Sequence, residues 1–184
     1  MLEANHYEEL LKVNHVANTI AVMFRRSVIE RVGGFKTSYS PAEDYELLLN
    51  AARRFSSAHH RSVVAEYRRH DANTSRNGSL MLRMMHKVMQ SRVSFVNENS
   101  KLRAAHRKGE LYWRDHFGVA TIREIYTHLI RCEPWRAARA FAALFWYARG
   151  RLFVLPWKYR WHALRVLRLT QQPRDRRASS VVNG

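Results

Sequence analysis

Acidic residues are scarce in this chain. Fifteen Asp and Glu stand against 32 Lys and Arg over 184 residues, a formal charge of +17. The deficit is local. Residues 1–79 hold 11 basic and 9 acidic side chains, whereas residues 80–184 hold 21 and 6. The first stretch is balanced like an ordinary enzyme domain. The second is a cationic appendage whose partner should be anionic: a membrane surface, nucleic acid or a polyanionic neighbour. Cysteine is nearly absent. Cys132 stands alone, which excludes an internal disulfide framework and fits a reducing compartment. Long apolar runs are missing as well. The longest candidate, 140–148, is bounded by Arg139 and Arg149, far short of the roughly 18–20 residues a spanning helix needs. Met1 leads straight into a polar stretch ending at Glu9, so no signal peptide is read. G-x-S-x-G, H-E-x-x-H, P-loop and cysteine-cluster signatures are all lacking, which removes the chemistries they carry.

What is present is a globular composition, 46% hydrophobic and 26% charged, sized for one domain or a small domain with an appendage. The spacing predicts a short helix over 7–13 and an apolar, partly β-branched strand over 18–24 entering the core. Ser27 suits the N-cap of a helical turn over 28–32, stopped by Gly33-Gly34. Residues 36–42 read as a loop with Pro41 as punctuation. A helix over 43–54 follows, burying Leu47, Leu48 and Ala51, with Phe55 extending the stripe. Residues 62–67 (SVVAEY) read as a second strand and 68–78 as a loop. Helical patterns then cover 80–96, 101–116 and 121–132. A further helix starts at Pro134 and runs to about Arg149, and a last one follows Pro156 to about Leu169. The end of the chain, 171–184, reads as a disordered tail.

Few residues carry chemistry. Glu43 and Asp44 fall in the first turn of the 43–54 helix, where the helix dipole favours carboxylates by about 0.3–1 kcal/mol. That dipole would keep the acid ionised, as suits a base activating a hydroxyl. Capping alone also accounts for such a pair. Gly33-Gly34 reads either as a helix stop needing positive φ or as a close backbone approach to a ligand. Tyr67-Arg68-Arg69-His70 follows the second expected strand, a placement suited to phosphate or metal contacts. Cys132 lies in a helical stripe and reads as a packing residue.

Taken in order, these pieces resemble one family. The run is Phe24-Arg25-Arg26-Ser27, Val32-Gly33-Gly34-Phe35, Glu43-Asp44-Tyr45-Glu46-Leu47, then Tyr67-Arg68-Arg69-His70 with Asn73 and Ser75 behind it. Over residues 15–79 it is similar to the C-terminal, acceptor-side half of the catalytic domain of family 2 glycosyltransferases, which have the GT-A fold. The resemblance implies an α/β fold: a partial GT-A (Rossmann-like) domain over 1–79, a basic, aromatic-rich and mainly α-helical extension over 80–170, and the tail over 171–184. It implies an inverting transfer of sugar from a nucleotide-sugar donor to a hydroxyl of a glycan or lipid-linked acceptor. Asp44 would be the catalytic base, with Glu43 its acidic neighbour. Gly33, Gly34, Phe35 and Tyr45 would shape the substrate side, and Arg68 and Arg69 would lie near the donor diphosphate. His70 would help hold a divalent metal, Mg or Mn. Lys36 stands where the family often has Asp or Asn. The family's D-x-D motif occurs nowhere in the chain, and only about 15 residues precede the matching region. The resemblance therefore implies a fragment, or a chain completed by a second one, and isolated residues 1–184 are expected to be inactive.

All five tryptophans lie after residue 80, interleaved with arginines. Such a pattern describes an interfacial helix on anionic lipid, with 134–169 as the binding segment. A plain helical bundle with a solvated basic face accounts for it too. The expected location is cytoplasmic, with the inner face of the membrane as a candidate surface. The alternative classes are a basic nucleic-acid-binding protein, which the sequence pI near 11.0 favours, and a non-catalytic scaffold. No helix-turn-helix, zinc-finger or RNA-binding aromatic motif supports the former.

Overall fold

A computed structural model describes residues 6–16, 19–59, 62–66, 77–97 and 99–148. Among them the chain forms α1 (His6–Lys12), α2 (Arg26–Val32), α3 (Glu43–Arg54), α4 (Gly78–Gln90), α5 (Val93–Val96), α6 (Ser100–Ile130) and α7 (Pro134–Ala148), with 3-10 turns at Thr19–Ala21 and Thr37–Tyr39. The described residues contain no strand. The expected α/β fold is therefore corrected: what is described is all-helical.

The long helix α6 is the spine. At about 1.5 Å per residue its 31 residues offer flanks to α1, α4 and α7 together. Its start is set by Asn99, whose Oδ1 accepts from the amides of Lys101 (2.9 Å) and Leu102 (3.2 Å), satisfying two donors that the first turn leaves without intrahelical partners. Asn77 does the same for α4, accepting from Leu80 at 3.0 Å. Helix α2 ends in the glycine-dependent way its sequence suggests. Gly33 has φ +84°, and the Gly34 amide reaches back to the Ile29 carbonyl at 3.0 Å while that of Gly33 bonds Glu30 at 3.3 Å, the paired bonds of a Schellman stop.

One apolar core draws on both sides of residue 79. Leu10 and Leu11 of α1, Tyr45, Leu48 and Leu49 of α3, Met81, Leu82, Met85, Val88 and Met89 of α4, Trp113 and Phe117 of α6, and Leu144 of α7 belong to one cluster. Helix α1 lies unusually close to the spine. A Cβ placed on Gly109 would stand 1.9 Å from the Leu11 carbonyl oxygen. At the N-terminus of α4, a Cβ on Gly78 would come within 2.4 Å of the Thr121 amide nitrogen. Hydrogen at these two positions is what lets the backbones touch.

Both expected strands fail for the same reason. A strand needs a neighbour to take up its backbone groups, and neither segment has one among the described residues. The first opens as the Thr19–Ala21 turn. Val22 and Phe24 lean on the core, but Met23 is 97% exposed, so the segment skirts the core rather than entering it. In the second, Val63 is 89% exposed; Tyr67 lies outside the described residues. The helices expected over 101–116 and 121–132 are one, because Phe117, Gly118 and Thr121 are buried and packing outweighs the roughly 1 kcal/mol that a helical glycine costs. Conversely, the 80–96 pattern divides at Ser91 and Arg92 into α4 and α5. Cys132 is exposed, not packed, and sits in the turn after α6 with φ +53°. The expected helix after Pro156 and the tail lie outside the described residues.

Gly109→Ala should lower stability by about 1–3 kcal/mol, the cost of overpacking, although alanine is the better helix former by about 1 kcal/mol. Urea denaturation would read this as a lower midpoint. A midpoint that rises would show that α1 does not approach Gly109 as described.

Candidate functional site

The candidate site is the corner from the end of α2, through 33–42, to the first turn of α3. Gly34 follows Gly33 with φ +65°, and a Cβ on either would meet nothing within 4 Å. Their requirement is thus conformational: both hold a left-handed backbone beside open space. Phe35 is exposed. The loop after it is fastened at two points. Lys36 Nζ donates to Glu46 Oε1 at 2.9 Å. Lys87 Nζ of α4 donates to the Ser38 carbonyl at 2.7 Å and lies over the Tyr39 ring at 4.9 Å.

Glu43 and Asp44 occupy the first turn of α3. Asp44 is half-buried, and its Oδ1 accepts from the Tyr45 amide at 2.6 Å. Burial raises its proton affinity above that of an ordinary aspartate. The neighbouring Glu43 charge pushes the same way, and the amide bond opposes both without cancelling them. Glu43 Oε2 is enclosed and makes no hydrogen bond. The corner thus presents two adjacent carboxylates, one of them a stronger base than usual, on a tethered loop–helix junction.

Tyr45, expected on the substrate side, is fully buried. Its hydroxyl donates to the Leu10 carbonyl at 2.6 Å and accepts from Trp113 Nε1 at 3.4 Å, with the two rings edge to face at 5.4 Å. Burial drives its pKa far upward, so it stays a neutral donor joining α1, α3 and α6. Arg68, Arg69 and His70 lie outside the described residues. Among those described, no group of three or more His, Cys, Asp or Glu could hold a metal ion.

Beneath the corner lies an ion knot that the sequence reading missed. Glu46 is 0% exposed. Its Oε1 accepts from Lys36, from Asn50 Nδ2 at 2.6 Å and from Arg92 Nη2 at 3.2 Å. Arg92 Nη1 donates to Asn50 Oδ1 at 2.6 Å, so the buried guanidinium grips both α3 side chains. Phe95 takes the Arg53 guanidinium at 4.0 Å and that of Arg92 at 5.5 Å from its ring centre. One signal was available: Glu46 and Asn50 are four apart, beside the apolar stripe of α3, where an unpaired charge would be costly.

Comparison with known family models, curated proteins and solved structures finds no match.

Removing one member of a buried ion pair costs about 3–5 kcal/mol, because the other is left unpaired. Arg92→Leu should lower unfolding free energy by that order, read from denaturant titration, and Glu46→Leu/Arg92→Leu by less than the two single losses together. Additive losses would dissolve the knot. Asp44 supplies a pH test. Its folded-state proton affinity is raised, so the native state disfavours ionisation. The penalty is absent below the unfolded value of about 3.9 and complete only once pH has risen through the folded value. Asp44→Asn should therefore gain stability relative to wild type as pH rises from about 3 to 7. A difference that shrinks with rising pH would contradict the buried environment of Asp44.

Proposed function

We propose that this chain provides the acceptor side of an inverting glycosyltransferase, with Asp44 as the base. The observation that carries the reading is the local geometry of Asp44. It is a half-buried carboxylate of raised proton affinity in the first turn of α3, behind a Gly33-Gly34 stop and a loop anchored by Lys36 and Lys87. The order and spacing of motifs over 15–79 supply the resemblance; the helical architecture supplies none of it.

In this reading an acceptor hydroxyl hydrogen-bonds to Asp44. The carboxylate takes its proton as the oxygen attacks the anomeric carbon from the face opposite the leaving group. The new carbon–oxygen bond forms as the bond to the nucleotide diphosphate breaks, and the diphosphate departs with the electron pair. The configuration inverts. Raised basicity helps, since a carboxylate nearer neutral pH accepts a hydroxyl proton with more driving force. Glu43 stands beside it in the same first turn. A divalent metal for the diphosphate does not fit the described residues, which offer no cluster of hard oxygen ligands. No step here runs through one. The donor platform has to come from outside the described residues or from a second chain.

The test is a chimera. The nucleotide-binding half of a family 2 glycosyltransferase would be fused ahead of residues 1–184 of this chain, because Leu10, Arg92 and Trp113 hold α3 in place. The chimera should transfer sugar, and Asp44→Asn should reduce kcat about 100- to 10,000-fold, the range of a lost general base. Nucleotide-sugar binding by the host half should stay intact. An Asp44→Asn chimera as active as its parent would end the proposal.

A further inference from the structure

Helix α7 leaves a broad outer side uncovered. Ala137, Ala140, Leu144 and Ala148 face inward, and the three alanines let α7 lie against α6 and α4. On the other side stand Trp135 at 76% exposure, Trp146 at 69%, and the exposed rings of Phe141 and Phe145. The stripe continues around the turn onto the end of α6, where Tyr126, Leu129 and Ile130 are exposed. Exposed Arg131, Arg136 and Arg139 border it. Large apolar patches of this kind mark a docking surface rather than a solvated face.

We propose that this face seats the protein on an anionic lipid bilayer, lying in the headgroup region. Charge selects the occupant. Residues 134–169 contain eight Lys and Arg and not one Asp or Glu. A second copy of the chain, or the chain's own 149–169 segment, would bring cations against cations. A surface of anionic headgroups neutralises them. Shape and chemistry agree. Tryptophan rings with arginine beside them are the residues that settle at a headgroup boundary. Backbone phosphates offer Leu129 and Ile130 no apolar contact, whereas acyl chains beneath anionic headgroups do, so lipid is favoured over nucleic acid. Fifteen residues of α7 span about 22 Å at 1.5 Å each. No helix among the described residues is long and apolar enough to cross a membrane, so α7 would lie on the bilayer. The inference stands whether or not the transferase reading holds.

The experiment uses the full chain and vesicles of phosphatidylcholine, with or without phosphatidylglycerol, at low and high salt. Sedimentation should show binding to the anionic vesicles that is roughly tenfold or more weaker on neutral ones and falls with salt. Trp135→Ser/Trp146→Ser should weaken it by roughly tenfold or more, and Arg136→Gln/Arg139→Gln should weaken it chiefly at low salt. Both pairs are at the surface, so thermal melts should match wild type. Equal binding to neutral vesicles, no binding to anionic ones, or binding unchanged by the tryptophan pair would overturn the proposal. So would a free chain whose Trp135 and Trp146 resist aqueous quenching, or whose mass halves in the tryptophan variant; these outcomes would give the face to the chain itself or to a second copy. Displacement from vesicles by duplex DNA, with DNA binding lost in the same variant, would give it to nucleic acid.

Discussion

The grip of Arg92 on Glu46 and Asn50 is the interaction on which the arrangement around α3 depends. Helix α3 is buried from Tyr45 to Ala51 without a break, so apolar packing alone gives it little reason to prefer one rotation about its axis over another. A buried carboxylate has a sharp preference, because its oxygen must find donors. Arg92 from the α4–α5 turn, Asn50 one helical turn on and Lys36 from the loop all converge on one oxygen. Once that oxygen is placed, Tyr45 must point toward Leu10 and Trp113. Asp44 is left at the rim, half in water. The burial that raises the basicity of the rim carboxylate thus depends on how α3 is turned.

Local rules made much of this readable in advance. Helix α1, the glycine stop of α2, and the starts of α3 at Glu43 and of α7 at Pro134 depend on residues within a few positions of one another, and each lies within a residue or so of its expected place. The strands were misread because β-branched, apolar runs such as 19–24 and 62–66 state a preference that only a neighbouring strand can realise. The sequence does not say whether that neighbour exists. Gly118 misled in the opposite direction: a helix breaker by propensity, it is tolerated because Phe117 and Thr121 on either side of it are buried.

The site divides along similar lines. That two carboxylates would open a helix was plain from position alone. Their electrostatics were not. The helix dipole suggested a readily ionised acid, whereas burial of Asp44 together with Glu43 makes it reluctant to lose its proton. That balance depends on how deeply α3 is packed, which residues 43–54 do not encode by themselves. The Arg92 knot spans 46 positions and leaves no local signature beyond two polar side chains next to an apolar stripe. Tyr45, inside the acidic motif, faces the core because the helical period sends it there.

Cys132 closes the α6–α7 turn in the backbone position that glycine usually takes, and its thiol is exposed. It is also the chain's single sulfhydryl. Oxidative cross-linking through residues 1–184 therefore has a built-in limit. Two copies can be joined, tip to tip, and the product has no thiol left with which to recruit a third.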